Sequence, residues 1–469
     1  RIFYSLLRLK LASCRPQSFA CTTACCGEES LCSRTCCLVR QGSEILLMFI
    51  ATGSDDGTAK VWSFDEKRQE KPGAMCMATL KGHIAGVTSV SWSPACYGEE
   101  KKSKILTASK DGLIKVWRPF DTSVVKTGIV PHDSLPRHTL QGRVSGVAEQ
   151  GGKKDEDQRH SDYVNMAVWK HGGRDAGMKV VSCSDDKSAA IWNVNEGRRE
   201  FKLKAEGVGH TGEVSMCSWS PDCQRILTSS YDMYCIMWSP RNGHHMKTFP
   251  ASLKNDPNHC HQEPIWTSRF SPEGHEFLTA SQDGTARIWD ITTGTCTILD
   301  DQKISQAGGR KQTHTECVFD ACWNKNDSNQ IVTCSLDMTA KIWDKRTGQV
   351  TQPLTHHSAG VWSAVFGNDP ASQGRMVLTC SHDMTALVYD QRLGMPKNML
   401  AGHRGILWHA IFSPDDDYIL TCSEDRTARL WNLSTGDRRP PCHVLQDGAD
   451  PGHTQAVTCA AFMEREISL

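Results

Sequence analysis

The sequence predicts an all-β repeat protein whose eight similar units close into one ring. Three registers carry that expectation. His83, His160, His210, His261, His314, His357, His403 and His453 each have an aliphatic residue four positions on and an aromatic nine positions on. Each unit closes on Trp62, Trp117, Trp192, Trp238, Trp289, Trp343 or Trp431, with Tyr389 taking the role once. Between them lies a turn aspartate, with a serine two residues before it and a serine or threonine four before it. Self-similarity at a period of roughly 40–50 residues marks an architecture in which no unit buries its apolar face alone.

The stretch His261–Asp290 shows the frame most fully. It holds the histidine, an apolar alternation ending in Ser271-Pro272, the turn Leu278-Thr279-Ala280-Ser281-Gln282-Asp283-Gly284 and the closing Ile288-Trp289-Asp290. At the start of the ring no histidine opens the first unit. Strand 45–54, the turn Asp55-Asp56-Gly57 and strand 58–63 stand without their partner. At the far end Gly452-His453 opens a unit with one strand, Val457–Phe462. The C-terminal stretches around His443–Gln446 and Gln455–Phe462 are therefore expected to pair with N-terminal strands 45–54 and 58–63, which removes the open sheet edges. Openings and closings both count eight blades of four strands; seven blades plus a partial unit is the alternative.

These residues resemble the WD-repeat β-propeller family, through Gly-His openings such as Gly82-His83 and Gly402-His403 and the Trp-Asp closings Trp289-Asp290 and Trp343-Asp344. The resemblance spans residues 44–469 and implies a β-propeller, in a family that more often closes with seven blades. It also implies that indole, hydroxyl, imidazole and carboxylate form a hydrogen-bonded chain in each blade. Carried over residue by residue, that chain is Trp117, Thr107, His83 and Asp111 in one blade, Trp289, Thr279, His261 and Asp283 in another, and Trp62, Thr52, His453 and Asp56 across the closure. Histidine, hydroxyl and aspartate are also the residue types of a hydrolase triad. A triad is needed once, whereas this set occurs eight times, so the expected role is structural and no catalytic residue is assigned.

Composition narrows the function. Lys+Arg and Asp+Glu balance at 53 each, so no global field draws the chain onto nucleic acid or lipid. No apolar run is long enough to span a membrane, and no P-loop, GxSxG or HExxH appears. Cys183, Cys334, Cys380 and Cys422 occupy a position filled elsewhere by Gly53, Ala108, Ser229 or Ala280. This is the use of a small buried residue, and it points to a reducing cytosol or nucleus. The chain begins on Arg1, and residues 1–43 are expected to be a leader outside the ring, disordered or an artefact of the gene model. Cys21, Cys25 and Cys26, then Cys32, Cys36 and Cys37, are of zinc-ligand type, but no histidine or apolar frame accompanies them. No metal and no cofactor are expected. A long insert at 120–159 separates two units and reads as a disordered loop or a partner-specific arm.

The partner-binding face implied by the resemblance is the rim carrying the positions three and five after each histidine and the residue before each turn aspartate. Four successive blades place Trp266, Phe319, Trp362 and Trp408 there, with Leu336 and Ile406 alongside and Tyr163 and Tyr231 in the blades before them. An exposed aromatic arc of this kind marks a protein-binding site. The acids Asp55, Asp185, Glu213 and Glu424 on the same rim favour a peptide carrying Lys or Arg beside an apolar anchor. The sequence therefore reads as a non-catalytic protein–protein interaction scaffold, a monomeric ring within a larger complex. An RNA- or ribosome-associated propeller is the alternative, and an enzyme using the ring as a platform is the third reading.

Overall fold

Each repeat unit folds as a four-stranded antiparallel sheet because its apolar residues alternate and its turns carry Asp and Gly where the chain must reverse. The computed structural model describes residues 47–65, 74–94, 103–120, 133–134, 138–139, 159–173, 176–204, 207–250, 259–303, 313–369, 374–446 and 452–463. Among these residues there are eight sheets. We number the blades from 1, whose inner strand is Val87–Trp92, through those opening with Val164–Trp169, Val214–Trp219, Ile265–Phe270, Val318–Trp323, Val361–Phe366 and Leu407–Phe412, to blade 8 with Val457–Phe462. Each inner strand packs on the next in order, and that of blade 8 packs on blade 1, which closes the ring.

Closure differs in detail from the sequence expectation. Blade 8 takes its inner strand from the C-terminus, and Val457–Phe462 pairs antiparallel with Leu47–Ser54. Its other strands are all N-terminal: Leu47–Ser54, Ala59–Asp65 and Ala74–Leu80. The stretch at His443 does not pair with the N-terminal strands. Cys442–Val444 is instead the outer strand of blade 7, bonded to Ala428–Asn432. The outer edge of blade 8 is already filled by Ala74–Leu80, so no place is open for it, and the His443 ring lies 5.0 Å from that of Phe64 in the N-terminal strand. The leader 1–43 lies outside the described residues, as does most of the 120–159 insert. Two short pieces of that insert are strands: His138–Thr139 completes blade 1, and Asp133–Ser134 runs parallel to the edge of blade 8.

A hydrogen-bonded chain of indole, hydroxyl, imidazole and carboxylate recurs in seven blades, and blade 6, which carries Tyr389, keeps the links from Thr379 to His357 and from His357 to Asp383, both at 2.8 Å. In blade 1, Trp117 Nε1 donates to Thr107 Oγ1 at 2.8 Å, Thr107 Oγ1 lies 2.8 Å from His83 Nε2, and His83 Nδ1 lies 2.8 Å from Asp111 Oδ2. A carboxylate only accepts, so Nδ1 carries the proton and Nε2 accepts from the hydroxyl. In blade 4 the chain is Trp289, Thr279, His261 and Asp283, at 2.9, 2.8 and 3.0 Å. In blade 8 it spans the termini: Trp62 donates to Thr52 at 3.0 Å, Thr52 meets His453 at 2.8 Å, and His453 meets Asp56 at 3.3 Å. The closing Trp62, Trp117, Trp192, Trp238, Trp289, Trp343 and Tyr389 are all buried. Polar atoms sunk this deeply would each cost about 1–3 kcal/mol if left unmade.

Electrostatics fix the protonation states. Burial holds His83, His261, His314 and His403 below the ordinary histidine value despite the aspartate beside each. Burial would raise the eight turn carboxyls, yet hydrogen bonds and charge from their histidines keep them below the usual carboxylate range, as at Asp56, Asp111 and Asp283. The folded state thus holds these four imidazoles neutral and the turn carboxyls charged. Both kinds of group bind fewer protons folded than unfolded, so stability rises with pH across their range. We expect the melting temperature to be level above about pH 6.5, the unfolded histidine value, to fall as that value is crossed downwards, and to fall again below about pH 4 as carboxylates protonate. Asp416, which burial pushes up to about 6, works in the opposite sense between those values, but as one group against four histidines. Calorimetry across pH 3–8 checks the profile, and a melting temperature that rises on acidification would contradict it.

Seams between blades carry a second set of contacts. Arg269 Nη2 of blade 4 donates to Asp320 Oδ1 of blade 5 at 2.7 Å, both side chains are buried, and Ser363 of blade 6 donates to Asp320 Oδ2 at 3.3 Å. On the face away from the histidine openings, Asp416 of blade 7 accepts the backbone N–H groups of Asn368 and Asp369 in blade 6 at 2.7 and 2.9 Å. Removing one partner of a buried ion pair leaves the other charge uncompensated. Asp320→Ala should therefore cost about 3–5 kcal/mol in urea unfolding, and the double change Asp320→Leu with Arg269→Met should recover most of it.

Candidate functional site

The crest of the ring, where the histidines open each blade, is built from the start of each inner strand and the turn between the second and third strands. Serine and aspartate make that turn self-contained. In blade 5, Ser335 Oγ accepts from the Asp337 amide at 3.1 Å, Asp337 Oδ1 accepts from the Thr339 amide at 3.0 Å, and Asp337 Oδ2 accepts from the Thr315 amide at 3.2 Å. The residue after the aspartate has positive φ in every blade: Gly57, Gly112 and Gly284, but also Lys187, Met233, Met338, Met384 and Arg426.

Every inner strand also bulges at one place. The ladder with the second strand skips Thr88, Asn165, Ser215, Trp266, Phe319, Trp362, Trp408 and Thr458, each five residues after its histidine. A bulge re-aims the side chain of the extra residue, and here it points into the seam with the following blade. On half of the ring that side chain is polar. Thr458, Thr88 and Ser215 donate to the carbonyls of Val87, Val164 and Ile265 at 2.7, 2.6 and 2.7 Å, and Asn165 donates to Val214 at 2.9 Å. On the other half it is aromatic, and the seams are made by rings.

Those rings form a continuous arc over blades 3 to 7. Tyr231 meets Trp266 with centroids 5.5 Å apart, Trp266 meets Phe319 at 5.9 Å, and Phe319 stacks on Trp362 at 4.0 Å. Trp362 meets His382 at 4.7 Å and Trp408 at 5.4 Å. The structure thus brings Trp266, Phe319, Trp362 and Trp408 together with Tyr231, adds His382, and packs Leu336 and Ile406 against the same cluster. Tyr163 sits half-buried one blade before Tyr231, in blade 2. Exposure differs from the expectation drawn from strict alternation. Phe319 is 1% and Trp362 7% exposed, sandwiched in the arc, while Trp266, Trp408, Leu336, Ile406 and Tyr231 are half-buried. The physical reason is the bulge, which turns the residue at this position from the open rim into the seam.

The rim charges are also partly spent. Lys110 Nζ lies 2.6 Å from Asp55 Oδ1, and the buried Asp185 accepts from Asn165 at 2.7 Å. Glu213 is half-buried and Glu424 exposed. Burial pushes the Tyr231 hydroxyl well above its usual value, with the charges of Asp185 and Glu213 adding to the shift. Among the described residues no group of three or more His, Cys, Asp or Glu side chains is placed to hold a metal ion, and no helix is long and apolar enough to cross a membrane. The bulge left no signal in a two-residue periodicity. The recurrence of Met after the turn aspartate (Met233, Met338, Met384) was legible in the sequence and marks the outer side of the same crest.

An eight-bladed ring fastened by these hydrogen-bonded chains defines the class of the protein as a β-propeller. The family model WD40, described as WD domain, G-beta repeat, matches residues 36–63, 74–118, 201–239, 253–290, 309–344, 348–390 and 394–432, more than half of the sequence. The chain belongs to the WD40 family. None of these matches covers the unit opened by His160, yet its sheet carries the same chain, with Trp192 donating to Ser182 at 2.8 Å and His160 lying 2.8 Å from both Ser182 and Asp186. Among curated relatives, a guanine nucleotide-binding protein subunit beta of Nicotiana plumbaginifolia is 27% identical over 241 residues, covering 47% of this chain and 60% of the relative. The subunit of the same name from Zea mays is 24% identical over 265 residues, covering 47% and 59%, and that of Oryza sativa subsp. japonica 25% over 283 residues, covering 59% and 60%. The chain spans about 60% of the length of these relatives.

Proposed function

We propose that this protein is a non-catalytic interaction scaffold, a propeller subunit of a multiprotein assembly that takes a partner polypeptide on the crest of blades 3 to 7. The observation that carries this reading is the aromatic arc. Its members are packed rigidly by their seams, yet Trp266 and Trp408 within it and Leu336 and Ile406 beside it keep part of their surface in solvent. Rigid, partly exposed tryptophans make strong interface anchors because little conformational freedom is lost when a partner covers them. Glu213 and Glu424 beside the arc favour a basic residue next to the partner's apolar anchor. The likeness to proteins that are themselves named as subunits agrees with a role in assembly. The described cysteines are free thiols, which suits the reducing cytosol or nucleus.

Affinity purification with mass spectrometry, comparing the wild-type chain with a Trp266→Ala, Trp408→Ala variant, tests the reading. A Thr88→Val, Thr458→Val variant, altered in blades 1 and 8 on the polar-seamed half of the ring, serves as the control. Removing two exposed anchors should weaken a discrete set of partners by tenfold or more (about 1.4 kcal/mol or greater) while the control retains them. Both variants are to be checked by thermal melting. Partners that survive the tryptophan changes in a folded variant would move the site away from the crest.

A further inference from the structure

The three blades whose residue before the turn aspartate is aromatic or aliphatic are also the three with methionine after it. Blade 3 reads Tyr231-Asp232-Met233, blade 5 Leu336-Asp337-Met338 and blade 6 His382-Asp383-Met384. Where the preceding residue is acidic, basic or amide, the following one is Gly, Lys or Arg. The methionines are 38, 49 and 44% exposed and sit at φ of 72°, 69° and 68°. That left-handed conformation suits glycine and disfavours any residue with a Cβ. Exposed apolar side chains held in an unfavourable backbone conformation gain nothing for the free ring, and such sites cluster where a ligand binds. Each of these turns thus raises an aromatic or aliphatic side chain inside the aspartate, against the aromatic arc, and a methionine outside it.

We propose that this double row is the docking surface for an amphipathic, Lys- or Arg-bearing helix of a partner protein, with Met233, Met338 and Met384 as its outer wall. The proposal rests on the reading that the crest is the partner site, and it names the element that sits there. Backbone satisfaction selects a helix over an extended segment. The turn amides are bonded within the ring: Tyr231 N–H to Glu213 O at 3.0 Å, Leu336 N–H to Cys317 O at 3.0 Å, His382 N–H to Gly360 O at 2.9 Å. The aspartate amides go to serine hydroxyls, as Asp232 to Ser230 and Asp383 to Ser381, both at 3.1 Å. An extended peptide would find no row of free donors to pair with. A helix brings its own backbone bonds and offers an apolar stripe wide enough for two rows. Methionine, flexible and polarizable, adapts to whatever aliphatic or aromatic side chains that stripe carries. Charge sets the polar face of the helix. Among the described crest residues of blades 3 to 6 (211–215, 231–234, 262–266, 282–285, 315–319, 336–339, 358–362 and 382–385) there is no Lys or Arg. Glu213, Glu263 and Glu316 stand there beside the turn aspartates.

The test is fluorescence anisotropy of the full chain with a labelled Leu/Lys peptide of about 18 residues, long enough to hold a helix. A scrambled peptide of the same composition without an apolar stripe and a Leu/Glu helix are the comparisons. The wild-type chain should bind the Leu/Lys helix and bind both comparisons at least about tenfold more weakly. Met233→Gln, Met338→Gln, Met384→Gln together should weaken it about tenfold. Replacing the same three by glycine relieves the backbone and should weaken binding equally in a ring at least as stable. Failure of the wild-type chain to bind, equal binding of the scrambled peptide, or binding unchanged in the folded methionine variants would each overturn the proposal. If the Trp266→Ala, Trp408→Ala variant loses the helix while the methionine variants keep it, the crest remains the partner site and only the helix-walling role of the methionines falls. If neither change matters, both readings fall.

Discussion

In seven blades a buried indole N–H is handed to a hydroxyl, the hydroxyl to an imidazole and the imidazole to a carboxylate, and the remaining one keeps the last two links with a buried tyrosine in the indole's place. The rest of the molecule depends on this chain. It fastens the third strand to the second through the Ser or Thr, and the second to the entry of the first through the histidine, so a thin sheet becomes a rigid wedge. The aspartate then caps the crest turn with its remaining lone pairs, which fixes the height and direction of the residues on either side of it. Because the same chain in blade 8 joins Trp62 and Thr52 near one end of the sequence to His453 near the other, the interaction that builds a blade also closes the ring. A ring closed in this way leaves no inner sheet edge exposed to other chains.

Rigidity is then used asymmetrically. Four seams are stitched by side-chain hydrogen bonds from Thr458, Thr88, Asn165 and Ser215 to the carbonyls of the next blade. The remaining blades carry rings at the same bulged position. Stacking contributes about 0.5–1.5 kcal/mol per pair beyond area burial, comparable to a net hydrogen bond, so either kind of seam holds the ring. Their difference lies in what they show to solvent: a small hydroxyl satisfied by a carbonyl offers a partner little, whereas an indole leaves one edge bare. The same position thus holds the seams in both halves of the ring, and in the aromatic half it also leaves apolar surface partly bare.

Much of this was legible in the sequence. The repeat, the count of eight, the residues of the hydrogen-bonded chain and the joining of termini follow from fixed offsets between His, Ser or Thr, Asp and Trp, since each offset is set by strand length and turn geometry. The aromatic arc followed from one column of that register. Its exposure did not, because a bulge adds a residue without changing composition or spacing, and alternation alone then assigns Phe319 and Trp362 to the wrong side. The pairing of His443 failed for a related reason: an outer strand is short, half-buried and weakly patterned, so Cys442–Val444 carries no signal of which neighbour it bonds. Contacts across seams, such as Arg269 with Asp320 or Asp416 with the amides of blade 6, depend on blades some fifty residues apart and leave no local pattern.

The central claim is that the crest of blades 3 to 7 is where this ring meets its partner. Hydrogen–deuterium exchange on the full chain, with and without a partner retained by wild type and lost by the tryptophan variant, tests it most directly. The account predicts added protection at turns 231–234, 336–339 and 382–385 and at the bulges around Trp266 and Trp408, with the crest of blades 8, 1 and 2 unchanged. Protection confined to the opposite face, or spread evenly over all eight blades, would contradict it.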